Sequence, residues 1–433
     1  MSLSHFIATR LHGSTNKRSF SHMIMRIATA SVALSVAVMI VASSMINGFK
    51  KEISQKIFDF WGHIQITDAF TSHALESTPI LNDPALIDSL LEIASIYYDL
   101  PLKIFGLQVA ESTTRQTSGG VKHAYPYIQY PGILSTNEDM EGLLLKGLAE
   151  DLPIDFFERY LEEGRPIDGK KADKDRPLVI SRMTARRMKL SLGDAVRIHF
   201  ITDGKPVPRR FAITGIYKTG LSEYDQKVAF VNMDQLQQVL GWEPDQIGGI
   251  EVVLDDIEDL DILDAYIYQE ILPPDQYTQT IRQRATSIFD WLDLQNTNEA
   301  LILTLMLIVC IINMITALLI LILERVHMIG VLKALGSDNW QIRKIFIEQA
   351  AQIMLKGLLI GNALGISLCL LQKKFEFIKL REEDYYLAVA PIDLNFWLIL
   401  AINTGTLLIS VVFLVFPSYF VSRISPTKAI RFS

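Results

Sequence analysis

The chain has 433 residues, 49% of them hydrophobic, a net charge of −7 at pH 7 and two cysteines. That length allows two or three soluble domains, but the apolar residues are pooled into four blocks. The acidic balance and the lack of a basic arm or basic aromatic stripe argue against a nucleic-acid partner. Cys310 and Cys369 both fall inside apolar blocks, so no disulfide framework is available to the rest of the chain.

The first block, Ile27 to Ile46, is an uncharged run of about twenty residues, enough to cross a bilayer as a helix. It is too long for the apolar core of a signal peptide, and "NGFKKEI" comes next without a cleavage-like site, so it reads as an uncleaved anchor.

Residues 47–299 read as a mixed α/β region. "GHIQITD" and "KIFGLQV" alternate like strands, and "VKHAYPYIQYPGIL" is rich in aromatic and β-branched residues. "DMEGLLLKGLAEDLPIDFFERYLEEG" reads as helix and turn. A second unit opens near Pro177, with strand, helix, a turn at Leu192-Gly193-Asp194 and further strands, which predicts a small β-rich subdomain over 177–235. In "TDGKPVPRRF", Asp203-Gly204 turns the chain, and Pro206 and Pro208 hold their neighbours extended. Neither proline can donate a backbone hydrogen bond, so the stretch is poor material for an interior strand and predicts a hairpin with a proline-stiffened tip.

The second block, Ala300 to Leu323, predicts another span. After it comes "ERVHMIGVLKALGSDNWQIRKIF", residues 324–346, a charged and glycine-broken helix between two apolar ones. The third block, Gln349 to Leu371, contains Lys356, read as a lysine snorkelling its ammonium to the headgroups in preference to an ion path. Gly357, Gly361 and Gly365 recur every fourth residue in it and predict a close helix–helix seam; Ser31 with Ser35 and Ala33 with Ala37 share that spacing in the first block. The fourth block runs from Phe396 to Val421.

Orientation comes from the short flanks. Arg10, Lys17, Arg18 and Arg26 precede the first span and Arg423, Lys428 and Arg431 come after the last, with no acidic residue among them. Both termini are therefore expected in the cytoplasm, with residues 324–346 on the same side and 47–299 and 372–395 outside.

The sequence holds no phosphate loop, GxSxG elbow, HExxH, CxxC pair or Rossmann glycines. The eight histidines are scattered, and a lone histidine is more often structural than a ligand. No catalytic residue, metal site or cofactor is expected on the chain itself.

Several stretches then acquire a common meaning. "ERVHMIGVLKALGSDNWQIRKIF" resembles the signature of FtsX-like/MacB-like ABC permeases, close to ER-x-x-EIG-[IV]-LKA-x-G, and the ending carried by Pro417, Ser422, Pro426, Ala429, Ile430 and Arg431 is similar to theirs. Within that family "GHIQI", "EGLLLKGL", "LSLGDAVRIHF", "GIYKTGLSEYDQKVAFVNM" and "APIDLNFW" look like the lipoprotein-releasing (Lol-type) branch. One departure stands out, Met328 where the family has an acidic residue.

The resemblance implies a membrane protein of four transmembrane α-helices, with a large periplasmic domain between helices 1 and 2 made of a porter-like α/β part and the β-rich subdomain. The expected organisation is a juxtamembrane helix at 1–26, spans at 27–46, 300–323, 349–371 and 396–421, a coupling helix at 324–346, and a cytoplasmic tail at 422–433. It also implies partners: a cytoplasmic ATPase dimer carrying ATP and Mg, a second permease chain (identical or a paralogue), lipoprotein cargo and a periplasmic carrier, in the inner membrane of a Gram-negative bacterium. Glu324, Arg325, Ile329, Gly330, Lys333, Leu335 and Gly336 are the expected ATPase-coupling residues, with Val331 and Leu332 adding to the apolar face; a plain amphipathic helix lying on lipid is the alternative. By the same resemblance Pro206, Val207 and Pro208 would hook the carrier, with Arg209 and Arg210 at the rim. Met45, Ile46 and Phe49 are cargo-contact candidates on position alone, against ordinary helix packing. Rival functions are export of another cargo, activation of a periplasmic partner, or a membrane-anchored sensor without transport.

Overall fold

The computed structural model describes residues 20–419 apart from 71–75, 101–102, 105–106, 109–112, 137, 150–154, 168–175 and 203. Residues 1–19 and 420–433, which carry most of the orientation charges and the C-terminal motif, lie outside it. Two compact units emerge, one of residues 1–52, 291–380 and 389–433, the other of 53–290 and 381–388.

The first unit is helical. Its elements are α1 (Phe20–Trp61), α2 (Thr286–Glu324), α3 (Val326–Ala334), α4 (Asn339–Phe375) and α5 (Phe396–Ser418). Four of these, all but α3, are long and apolar enough to cross a membrane. Helices α1, α2 and α4 run well past the apolar blocks, because the flanking polar residues are also good helix formers and no proline interrupts them. The division between units therefore falls inside helix α1, at Glu52/Ile53, and near the start of α2.

The glycine seam is where the spacing placed it. A Cβ on Gly357 would lie 2.7 Å from Val32, one on Gly361 2.7 Å from the Ala33 carbonyl, and one on Gly365 3.2 Å from Ala37. Only glycine lets the α1 and α4 backbones approach this far. Asn362 and Asn403 exchange amide hydrogen bonds at 2.6 and 2.9 Å, and Asn313 donates to Ser31, so the spans are also tied by polar side chains. Lys356 is exposed on α4.

The second unit is built on one ten-stranded mixed sheet. In chain order its strands are β1 (Ile64–Asp68), β2 (Val121–Ser135), β3 (Met140–Leu148), β4 (Leu161–Gly164), β5 (Pro177–Ser181), β6 (Ala195–Thr202), β7 (Lys205–Tyr217), β8 (Val228–Asn232), β9 (Gly249–Leu254) and β10 (Gln276–Thr280). The order across the sheet is β6-β7-β5-β8-β3-β2-β9-β1-β10, with β4 beside β7. Strand β6 pairs again with β2, Ile198 opposite Leu134, which closes six strands into a ring.

Two sequence expectations change here. The β-rich part is not confined to 177–235: strands β5 to β8 close a barrel only by sharing β2 and β3 with the α/β part. Its core joins Ile128, Leu134, Leu143 and Leu145 to Leu178, Ile198, Phe200, Phe211 and Ile213. The second change is Met140–Leu148, expected as helix, which is strand β3. Its Leu-rich run fits either period; what decides is that Leu143 and Leu145 point into the barrel while Gly142, Leu144 and Lys146 take the other face. The remaining half of the sheet carries a separate core of Ile64, Ile66, Ile250, Val252 and Leu254 against helices Pro84–Leu91 and Leu260–Tyr266.

Candidate coupling and docking sites

The segment 324–346 is not one helix. Helix α3 ends on a left-handed Gly336 (φ 88°), where Ser337 N–H reaches Leu332 O at 3.0 Å and Gly336 N–H reaches Lys333 O at 3.1 Å. This paired closure is the usual glycine stop, and it frees the chain to turn. Asp338 then starts the next helix, its carboxylate accepting from Trp340 N–H at 3.1 Å. "LGSDN" is thus a stop followed by a start, and residues 339–346 belong to the third spanning helix α4.

That corner sorts the expected coupling residues. Ile329 and Gly330 are buried, and Leu332 packs on the membrane-unit core, so they support α3 from behind and are not free to enter a partner groove. Met328 packs on the same core, which gives the departure from the family's acidic residue a physical meaning: an apolar side chain here joins the span packing. Left at the surface are Glu324, Val331, Leu335 and Gly336, with Arg325 and Lys333 half-buried. Leu335 is 79% exposed and Trp340 58%, large apolar groups of the kind that mark contact sites. Trp340, beside the Arg343 guanidinium at 5.7 Å, had no place in the sequence expectation.

The proline stretch also differs from its expectation. Pro206, Val207 and Pro208 are not a loop tip; they lie in β7, opposite Ile201, Phe200 and His199. The turn itself is only the residues between Thr202 and Lys205, with Gly204 at φ 71°. A two-residue turn makes the flanking Thr202–Lys205 pair the hydrogen-bonded one, so alternation points the N positions of residues 206 and 208 away from β6. Strand β7 gains its further neighbours β5 and β4 only from Ala212 onward, so the prolines sit where an N–H has no ladder partner to lose. Pro206 and Pro208 are exposed, while Val207 packs on the barrel core.

Met45, Ile46 and Phe49 are half-buried in the middle of the continuous helix α1, not at a helix end. Phe49 sets its ring edge against Trp291 at 5.3 Å. At the preceding residue, a Cβ on Gly48 would come within 2.8 Å of the Pro391 carbonyl, so "NGF" and "APID" meet backbone to backbone, and Asp393 N–H donates to Ser44 O at 3.0 Å. Glu299 accepts from Ser43 and, at 3.2 Å, from Asn47.

Sequence reasoning missed a buried charged network in the α/β unit. Lys146 lies 2.8 Å from Glu251 with both side chains almost fully enclosed, and it also donates to Phe60 O at 2.6 Å. Burial pulls the Lys146 ammonium below its ordinary range, Glu251 pulling it back. Glu251 accepts from Gln65 at 3.0 Å, and the Gln65 oxygen accepts from Arg284. Arg284 also donates to the Gln129 oxygen at 3.0 Å and stacks 4.2 Å from the Trp61 ring. Isolated polar letters in apolar strands were the available signal, but pairing them required the sheet order.

"GLSEYD" proves to be a turn built round its last residue. Asp225 is buried and accepts from Thr219 Oγ1 at 2.7 Å and Gly220 N at 3.0 Å. Lys56 donates to Thr219 O at 2.6 Å and Tyr386 O at 3.0 Å, so segment 381–388 belongs to this unit.

No cluster of His, Cys, Asp and Glu able to hold a metal occurs among the described residues.

Comparison with known proteins gives this arrangement its family. Residues 27–269 match the MacB-like periplasmic core domain and residues 300–426 the FtsX-like permease C-terminal family. The chain is 24% identical over 450 residues to the lipoprotein-releasing system transmembrane protein LolE of Haemophilus influenzae, covering 99% of each. It is 22% identical to the lipoprotein-releasing system transmembrane protein LolC of Xylella fastidiosa over 446 residues, 99% of each, and 22% identical to that of Neisseria meningitidis over 452, covering 100% of this chain and 99% of the relative. Four long apolar helices, a large mixed α/β unit and both matched regions agree: the chain belongs to the FtsX-like, MacB-like family of ABC transporter permeases.

Proposed function

We propose that the chain is the membrane-spanning, non-catalytic subunit of an ABC machine that extracts lipoproteins from the inner membrane of a Gram-negative bacterium and passes them to a periplasmic carrier. The observation that carries this is the end-to-end match to proteins named for lipoprotein release, with 99% of each of the first relatives covered. A separate ATPase dimer supplies ATP hydrolysis with its Mg, and a second permease chain completes the cargo path. Both termini and the α3–α4 corner face the cytoplasm, where Leu335, Trp340, Glu324 and Lys333 meet the ATPase. Closure of that dimer pushes the corner, and α1 and α2, helices of 42 and 39 residues whose chains run on into the periplasmic unit, transmit the push as rods. Met45, Ile46 and Phe49 remain the candidate cargo contacts on α1.

The hairpin of β6 and β7 is the carrier contact. Pro206 and Pro208 keep its free edge from recruiting a stray strand and leave it little entropy to lose on binding. Replacing Pro206, Val207 and Pro208 together by serine is expected to weaken carrier capture in a pull-down by roughly tenfold or more, with membrane insertion and ATPase activity unchanged; undiminished capture removes the hairpin from the hand-over.

The function as a whole is tested by depletion. Loss of the chain should leave mature lipoproteins in the inner-membrane fraction, whereas normal delivery to the outer membrane in depleted cells contradicts the proposal.

A further inference from the structure

Part of the outer wall of the barrel in the α/β unit lines a groove. Directly opposed residues share a face of a sheet, and the register places Gly142 opposite Ile133 and Leu144 opposite Pro131, Ile133 opposite His199, and Ile201 opposite Pro206. These side chains therefore lie together on the outer wall, while their neighbours Leu143, Leu145, Ile198 and Phe200 fill the barrel. Between this wall and Trp61, Arg284 and Ile288 lies a groove of about 560 Å³, within the range of ligand sites of roughly 300–1,000 Å³.

Its chemistry is uneven in an informative way. Leu144, Ile133, Ile201, Val228 and Ile288 make most of the wall apolar, and Ile133 and Ile201, 37% and 56% exposed, extend it to solvent as one patch. Gly142 contributes no side chain, and a Cβ built there meets nothing within 4 Å, so the floor is left open. The rim charges Glu76, Glu223 and Lys227 are exposed to solvent. Arg284 is the one charged group set into the wall. It is held against Trp61 by Gln65 and Gln129 and forms no ion pair among the described residues. A guanidinium carries five donors, so some remain for an oxygen in the groove. Beyond Ile201 the apolar wall continues without a break to Pro206 and Pro208 on the hairpin.

We propose that this groove holds one acyl chain of the cargo, its aliphatic carbons along Leu144, Ile133 and Ile201 and its ester or amide carbonyl oxygen at Arg284. The chain would lie there after leaving the bilayer and before passing along the hairpin. The identity of the cargo rests on the lipoprotein-release reading; the fit to an aliphatic chain ending in an oxygen acceptor does not.

The test uses the full-length protein in lipid nanodiscs and a palmitic acid carrying a diazirine. After illumination, mass spectrometry should find label on peptides containing residues 131–144 and 199–201. In Gly142→Leu, whose side chain enters open space, that labelling should fall by roughly tenfold, the loss expected when about two methylenes lose their place, while labelling of α1, α2, α4 and α5 is retained. Ile201→Asp, at an exposed position, should lower it similarly. Label confined to the spanning helices, or groove labelling unchanged in both variants, overturns the proposal. Cells depleted of the chain separate the two ideas: blocked release with no groove label keeps the release function and discards the groove, and groove label with normal release keeps the groove and discards lipoproteins as its cargo.

Discussion

At the residue scale, His63 shows how burial turns a scattered histidine into a structural part. Its Nδ1 accepts from Leu254 N–H at 2.8 Å, which requires the neutral ring. Burial holds its pKa down from 6.5 to about 4, Asp59 raising it slightly and Lys122 lowering it. The unfolded chain takes up this proton below about pH 6.5 and the folded chain only near 4, so His63 favours folding fully above 6.5 and loses that contribution as pH falls through the window. The loss amounts to about 3 kcal/mol at most. Thermal unfolding of the purified protein should show stability declining from pH 6.5 to 4, and His63→Asn, which keeps an acceptor but does not titrate, should flatten that decline. An unchanged slope in the variant would assign the acid sensitivity elsewhere. The sequence marks His63 as a structural side chain but does not give its partner, because Leu254 lies on a strand that only the sheet order brings alongside.

At the scale of elements, periodicity is a good guide wherever one face is buried against one kind of neighbour. The four-residue glycine spacing in α4 announces a close helix partner, and the Ala33/Ala37 spacing in α1 supplies it. Gly361→Leu should therefore force α1 and α4 apart and destabilise the protein by roughly 1–3 kcal/mol or prevent its accumulation. Gly405→Leu in α5, where a Cβ meets nothing within 4 Å, is the matched control and should leave thermal stability nearly unchanged. Equal effects of the two would mean that the seam is not a tight contact. Periodicity fails at Met140–Leu148, where consecutive leucines fit both periods and the deciding information, two faces covered by different layers, is tertiary. It also fails at Pro206–Pro208: proline is excluded from interior strands, but this strand has a free side along that stretch, and nothing local says which side is free.

Across the whole molecule, the four apolar blocks and the α/β region between the first two are legible because bilayer and core impose composition directly. The closed ring is not, since it depends on β6 returning to β2 across about sixty residues of chain. The coupling segment is legible as a motif but not as a shape. Its glycine stop and aspartate start make a corner, and that corner divides the motif into buried supports such as Ile329 and an outward edge of Leu335 and Trp340. On the proposed function this edge receives the force of the ATPase. The decisive quantity is the amount of lipoprotein handed to carrier per ATP hydrolysed, in proteoliposomes holding the complete complex. Leu335→Asp combined with Glu324→Lys should reduce that ratio by roughly tenfold or more, with the complex still inserted and ATP still hydrolysed. An unchanged ratio would contradict a force-receiving role for the corner.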